Sequence, residues 1–245
     1  MRSEEEVTQV GELAQRGLGS AEIARVTGIP RATVRDWLAG KAPARKRVEL
    51  GVEPAIPPES QSAYAYLLGL YLGDGHISAG ARTLRLRITL DGIYPGIVAE
   101  CVGAIERVLP NPVGIVNTPS RAVVVSVYAK ALAQLFPQHG AGAKHDRKIE
   151  LLPWQSGITR AFPESLLRGL IQSDGSRHMN TVRVRGRVYR YPRYEFCNHS
   201  HDIRAIFCEH LDLLGIPWRR MNRWTISVAR REGVARLDEF VGPKF

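Results

Sequence analysis

The 245-residue chain has only three cysteines, Cys101, Cys197 and Cys208, and none stands in a CxxC pairing. An odd, scattered set gives no disulfide framework and fits a reducing cytoplasm. No apolar run approaches the length of a bilayer span, so no membrane partner is expected. The opening MRSEEEVTQV is acidic and polar, so a signal peptide is not expected there. Acidic residues are also in short supply: 24 Asp and Glu stand against 34 Lys and Arg, a net charge of +10. A basic excess of that size points to a polyanionic partner, nucleic acid being the commonest.

What is present begins with a small helical unit over residues 1–42. VTQVGELAQRG has helical apolar spacing and stops at Gly17; Ser20 is placed to cap AEIARVTG; Gly28 supplies a turn; Pro30 opens PRATVRDWLAG. Two short helices about a glycine turn form a helix-turn-helix pattern. Ala24 falls at the helix crossing, and Ile23, Ile29, Val34 and Trp37 on the buried face. Arg31, Thr33 and Arg35, with Asp36, are left exposed where a recognition helix meets the major groove. KAPARKR can touch phosphates, and residues 43–58 read as a basic, proline-containing linker.

The remainder is an internal duplication. LLGLYLGDG at 67–75 returns as LRGLIQSDG at 167–175, with five of nine positions identical. After each helix come alternating strands. TLRLRITL puts Leu84, Leu86, Ile88 and Leu90 on one face, with Arg85, Arg87 and Thr89 on the other. TVRVRGRVYRYPRYEFCN reads as a hairpin through Gly186, with Arg183, Arg185 and Arg187 in its alternating set. Each half runs helix, strands, helix, strands, helix, the last helices being KALAQLF and VARLDEF. The natural packing is a two-layer α+β domain on antiparallel sheets. The halves are set at 59–154 and 155–245.

Gly69 and Gly73, like Gly169 and Ser173, are four apart on one helix face, and small residues at that spacing let two helix backbones approach closely. Asp74 and Asp174 would then emerge side by side at two negative helix ends, where they repel unless a cation is present. Mg²⁺ (or Mn²⁺) is the expected cofactor, with Gly73 and Ser173 placed in the same metal shell. The cluster Cys197, His199, His201, Cys208, His210 has no standard tetrahedral spacing, and no zinc is expected there.

With its doubled motif and order of elements, residues 58–245 resemble the LAGLIDADG homing endonucleases. The resemblance implies a monomer of two pseudo-symmetric αββαββα halves whose sheets make a basic saddle on double-stranded DNA. It implies that Asp74 and Asp174 bind divalent metal and direct cleavage of both strands. The family's earlier motif acid is replaced by Leu72 and Gln172. It further implies a lysine near the metals in each half, here Lys144 and Lys244, with Lys148 a rival for the first. Arg85, Arg87, Thr89, Arg183, Arg185, Arg187 and Arg193 would line the saddle. Two other readings share this fold: a regulator that binds DNA without cutting, and an RNA maturase. An intein is not expected, because the chain starts at Met1 and ends GPKF without the nucleophile and His-Asn ends that splicing requires. The expected location is cytoplasmic, on the nucleoid.

Overall fold

The computed structural model describes residues 4–41, 53–80 and 82–245. The chain forms two compact units, Met1–Glu49 and Leu50–Phe245. KAPARKR beyond Lys41, and the linker up to Val52, lie outside the described residues.

The first unit holds α1 (Glu4–Gln15), α2 (Ser20–Thr27) and α3 (Arg31–Asp36), followed by a wide turn over Trp37–Lys41. Val10, Ile23, Ile29, Val34 and Trp37 close its core, with Ala24 packed against them. Gly28 takes the left-handed conformation at φ 70° and donates its N–H to Ala24 O at 3.0 Å, ending α2. Ser20 is not the cap that its type predicts. The carbonyl of Gly19 receives the first helical bonds, from Glu22 and Ile23, which makes Ser20 the first helical residue.

The second unit contains the repeat. Its first half runs α4 (Pro58–Asp74), β1 (Gly75–Ala79), β2 (Leu84–Asp91), α5 (Pro95–Val108), β3 (Val113–Asn117), β4 (Ala122–Ala129) and α6 (Leu132–Leu135). After α7 (Pro153–Ala161), the second half runs α8 (Pro163–Asp174), β5 (Gly175–Val184), β6 (Arg187–Cys197), α9 (His201–Leu213), β7 (Arg219–Arg220), β8 (Thr225–Val228) and α10 (Arg231–Phe240). The two antiparallel sheets have matching orders, β1-β2-β4-β3 and β5-β6-β8-β7. This is the expected α+β architecture of duplicated αββαββα halves.

Alternation decides each sheet's faces. Leu86, Ile88 and Leu90 of β2 and Val123, Val125 and Val127 of β4 are buried with α4 and α5, which turns Arg85, Arg87 and Thr89 away from the helices. In α4, by contrast, residues 63–72 are buried on every side, as a helix enclosed by sheet, helices and its own repeat must be. One core cluster spans both halves, so neither forms a separate hydrophobic interior.

Two elements differ from the sequence pattern. KALAQLF makes one helical turn, because Phe136 leaves helical geometry (φ −127°, ψ 68°) before Pro137 and buries its ring against Tyr64 and Tyr71. WQSGITRA, carrying no expected element, forms most of α7, and the boundary set at 154/155 falls inside that helix.

Candidate active site at the paired helix ends

The site starts from what glycine permits. A Cβ on Gly69 would lie 2.5 Å from Leu166 O, and one on Gly169 would lie 2.2 Å from Tyr66 O and 3.0 Å from Gly69 Cα. These are backbone atoms, so α4 and α8 touch main chain to main chain. One turn on, a Cβ on Gly73 would overlap Ser173 and reach 3.1 Å from Asp174 Oδ2. Ser173 fits by turning its hydroxyl back to Gly169 O and Leu170 O, both at 3.0 Å. At the opposite end of the crossing, Ser62 and Ser165 meet hydroxyl to hydroxyl at 2.9 Å. The final motif glycines serve the same compactness: β1 and β5 double back so sharply that a Cβ on Gly75 or Gly175 would lie 2.5 Å from Tyr71 Cα or 2.7 Å from Ile171 Cα.

Both aspartates therefore emerge at one place. Loss of hydration, reinforced by the Asp174 carboxylate, pushes Asp74 up to about 6, although Lys144 and Lys244 pull the other way. Burial also raises Asp174, opposed by a 2.6 Å hydrogen bond from Asn198 Nδ2 and by the same two lysines.

Each lysine is anchored on a helix C-terminus, where carbonyls lack helical partners. Lys144 Nζ donates to Tyr71 O, to Leu72 O at 3.1 Å and to Gly73 O at 2.7 Å, and lies 5.0 Å from the Tyr71 ring centre. Lys244 Nζ reaches Ser173 O at 3.4 Å. Lys148, the rival, is exposed and paired with Glu150 at 2.5 Å. Burial lowers Lys144 to about 8, and Asp174 counters this more than Asp74 does. Burial also lowers Lys244, for which Asp74 is the stronger counterweight.

The lysines are thus crossed: each caps one motif helix and is kept charged most by the acid of the other, although at both acids Lys144 outweighs Lys244. Cavities follow the same pattern. One of about 380 Å³ holds Lys144 with Asp174 and Asn198, and one of about 330 Å³ holds Lys244 with Asp74 and Asp91.

The donor chemistry fits a hard divalent cation. Two carboxylates stand together at two negative helix ends, and burial and then the charge of Asp174 hold Asp74 above the usual carboxylate range. Among the described residues no cluster of three or more His, Cys, Asp or Glu could hold a metal, so water and substrate oxygens would complete the shell. The carbonyls of Gly73 and Ser173, expected in the metal shell, each receive a lysine ammonium here, Gly73 O from Lys144 and Ser173 O from Lys244.

The positions of the replaced motif acid are structural. Leu72 is fully buried, while Gln172 bonds to Tyr66 and Glu100, the latter also paired with Arg168. Asn198 was missed in the sequence because it sits inside the His/Cys cluster that drew attention to zinc. That cluster is otherwise engaged: His199 stacks on Trp224 at 4.5 Å, and buried His210 bonds to Ile206 O at 2.7 Å. Arg147 was missed too. Its guanidinium gathers Gly140 O at 3.0 Å and Gly142 O at 2.6 Å, folding the loop that delivers Lys144. Phe245 plays a comparable part for Lys244: its ring lies against Gly96, and its backbone oxygen accepts from Gly96 N at 3.1 Å.

The basic strand residues divide. Arg85, Arg87, Arg187 and Arg193 lie on the faces turned from the helices. Arg183 does not share their face. It is paired with Val188, whereas Arg187 pairs with Val184, because the two-residue turn Arg185–Gly186 (φ 48° and 79°) interrupts the alternation. Arg185 sits at the exposed tip. In the first unit, Arg31 and Arg35 are exposed and Thr33 half-buried along α3.

No model of a known protein family matches the sequence, and no curated protein does. Solved structures do match. The homing endonuclease I-DmoI in complex with DNA and Mn is 15% identical, with 75% of this chain and 97% of that chain covered at a TM-score of 0.50. The LAGLIDADG meganuclease I-AabMI bound to uncleaved DNA is 13% identical over 72% of this chain and 82% of its own, TM-score 0.48. Full-length DUF199/WhiA from Thermatoga maritima is 16% identical over 77% and 58%, TM-score 0.49. At such identities the likeness is one of architecture, and with the I-DmoI match beside the paired motif helices and twin sheets, the chain has the LAGLIDADG fold.

Proposed function

We propose that this protein is a divalent-metal-dependent, site-specific endonuclease acting on double-stranded DNA. The observation that carries the reading is the crossed pair of acid and lysine. A protein that only binds DNA gains nothing from crowding two carboxylates against each other where they will face phosphates. The structure nevertheless keeps both, backed by two partly buried lysines. The basic balance supports a polyanionic substrate, and I-DmoI, matched in fold, was solved with DNA and Mn.

In this reading Asp74 and Asp174 would hold the cation. When bound, Mg²⁺ or Mn²⁺ would polarise a phosphoryl oxygen and lower the pKa of a coordinated water. Lys144 and Lys244 place positive charge in the two cavities, where negative charge grows on a phosphate under attack. Asn198 fixes the rotamer of Asp174, and Arg147 and Phe245 fix the lysines. Both acids are on one chain, so a monomer suffices. The strand arginines contact the duplex, and Arg31, Thr33 and Arg35 extend the contact into a second stretch of groove.

The test is cleavage of a supercoiled plasmid carrying the preferred site, with Mg²⁺ and with Mn²⁺. Linear product is expected. Tight site-specific binding with no cutting in either metal would show a regulator, and preference for RNA in direct competition would show a maturase. Separately, Arg35→Ala should weaken duplex binding about tenfold and reduce its salt dependence, with the single-turnover cleavage rate at saturating protein unchanged. Lost cleavage with intact binding would contradict the assignment of α3.

A further inference from the structure

One pair of residues on the sheets is duplicated as faithfully as the aspartates. Gly75 pairs with Ile88 and Gly175 with Phe196; Ile88 then pairs with Val125 and Phe196 with Ile226. Counting from those anchors, Arg85 corresponds to Arg193 and Ser126 to Ser227. Both arginines sit on an inner strand of their sheet, β2 or β6, on the face turned from the helices. The floor of each sheet thus carries an arginine with a serine one strand away.

In each copy the buried Nε of the guanidinium has no partner among the described residues, as is also so at Arg87. Arg85 Nη2 donates to Ser126 Oγ at 3.1 Å and lies over the Tyr128 ring, but its Nε has no partner among the described residues. Arg193 is 6% exposed; it is ion-paired with Glu195 at 3.4 Å, and its contacts with Tyr191 (3.5 Å) and Met221 (3.6 Å) are long. Its Nε and the Ser227 hydroxyl, both buried, lack partners among the described residues. They line a cavity of about 530 Å³ with Tyr191, Trp218, Arg219 and Arg230. A buried guanidinium nitrogen without an acceptor is costly unless a ligand supplies one.

We propose that Arg85 and Arg193 each read a guanine, at matched distances from the centre of the target and on opposite strands. This rests on the duplex-DNA reading above. Guanine presents two adjacent acceptors, O6 and N7, in the major groove, which is the geometry a guanidinium fork satisfies. Placement on inner strands favours base edges over phosphates, which pass along the rims of a groove. The pseudo-two-fold axis between Asp74 and Asp174 turns one arginine's base into its inverted repeat. The adjoining position breaks the symmetry. Arg87 in the first half corresponds to Glu195 in the second, and a carboxylate there accepts from the amino group of cytosine.

The experiment is selection of duplexes from a randomised library by the full chain, repeated with Arg85→Ala, Arg193→Ala and Arg193→Lys. Wild-type sites should carry guanine on both strands, equidistant from the centre. Each alanine variant should lose that preference on one side only and bind the selected duplex about 5- to 150-fold more weakly. Affinity for a duplex already lacking that guanine should not change. Arg193→Lys should keep the salt dependence while losing the base preference. Selected sites without matched guanines would overturn the inference. So would variants that weaken all duplexes alike with a shallower salt slope, since that marks a phosphate contact. Failure to enrich any duplex would remove the DNA reading itself.

Discussion

Gly169→Ala is expected to destabilise the repeat domain by at least about 3 kcal/mol, the upper range for overpacking. The new methyl group would sit 2.2 Å from Tyr66 O, 2.9 Å from Leu70 N and 3.0 Å from Gly69 Cα. No rotamer change moves a backbone atom, so α4 and α8 would have to separate along a crossing that buries residues from both halves. At this size each kcal/mol is worth about 2–4 °C, so thermal unfolding by circular dichroism should fall by roughly 6–12 °C or more. Gly69→Ala, at 2.5 Å from Leu166 O, should behave alike. Gly103→Ala is the control: in α5 a methyl group meets nothing within 4 Å, and helix propensity alone should make it neutral or stabilising by up to about 1 kcal/mol. A Gly169→Ala protein melting within 2 °C of wild type, by roughly the same conversion, would show that the helices are not in backbone contact.

Asp74→Asn should separate stability from function in opposite directions. Cleavage of both strands should fall at least about a thousandfold, the scale of losing a preorganised electrostatic element, while site binding persists. Without divalent metal the variant should be more stable than wild type. A carboxyl raised to about 6 from 3.8 is better protonated in the folded than in the unfolded protein, so its ionised form opposes folding. Although neighbouring groups crowd the Asp74 carboxyl, its side chain keeps an open edge to solvent, which screens the conflict, so the gain is put on the order of 1 kcal/mol at pH 7.5. The sign with pH follows. The difference should be full above pH 6, shrink as pH falls through 6 towards 4, and vanish below the unfolded value, where both proteins carry a neutral side chain. Denaturant titrations in EDTA at pH 4 and 7.5 check this. Asp174→Asn should act the same way on cleavage. A destabilised Asp74→Asn at pH 7.5 would mean that the carboxylates are not in conflict.

How much of this could be read from the chain depends on which interactions are local. The doubled LLGLYLGDG and LRGLIQSDG gave the helix crossing because the requirement for small residues is written at fixed spacing along one helix face. Alternation in TLRLRITL gave the face of Arg85 and Arg87, since a strand has only two faces. It failed at Arg183, where a two-residue turn reverses the chain and alternation does not carry across. Lys144 and Lys244 were singled out by the family resemblance together with their position after the last element of each half. Their crossing over to the opposite acid was not legible, because it depends on how the two halves pack. Asn198, Arg147 and Phe245 carry no pattern of their own: each acts through contacts with residues at least five positions away, and only the folded chain brings them together. The lysines on the Gly73 and Ser173 carbonyls were not legible for a related reason. Sequence shows which residues end a helix, but not which cation their carbonyls receive.

The most direct measurement is the number of Mn²⁺ ions held by the protein bound to its DNA site, followed by the paramagnetic resonance of free Mn²⁺ during titration. If the two motif acids hold the cation, the wild-type complex binds Mn²⁺ and the Asp74→Asn/Asp174→Asn complex binds at least one ion fewer, with the DNA still bound. Equal Mn²⁺ binding by both complexes would contradict the assignment of the paired aspartates as a metal site.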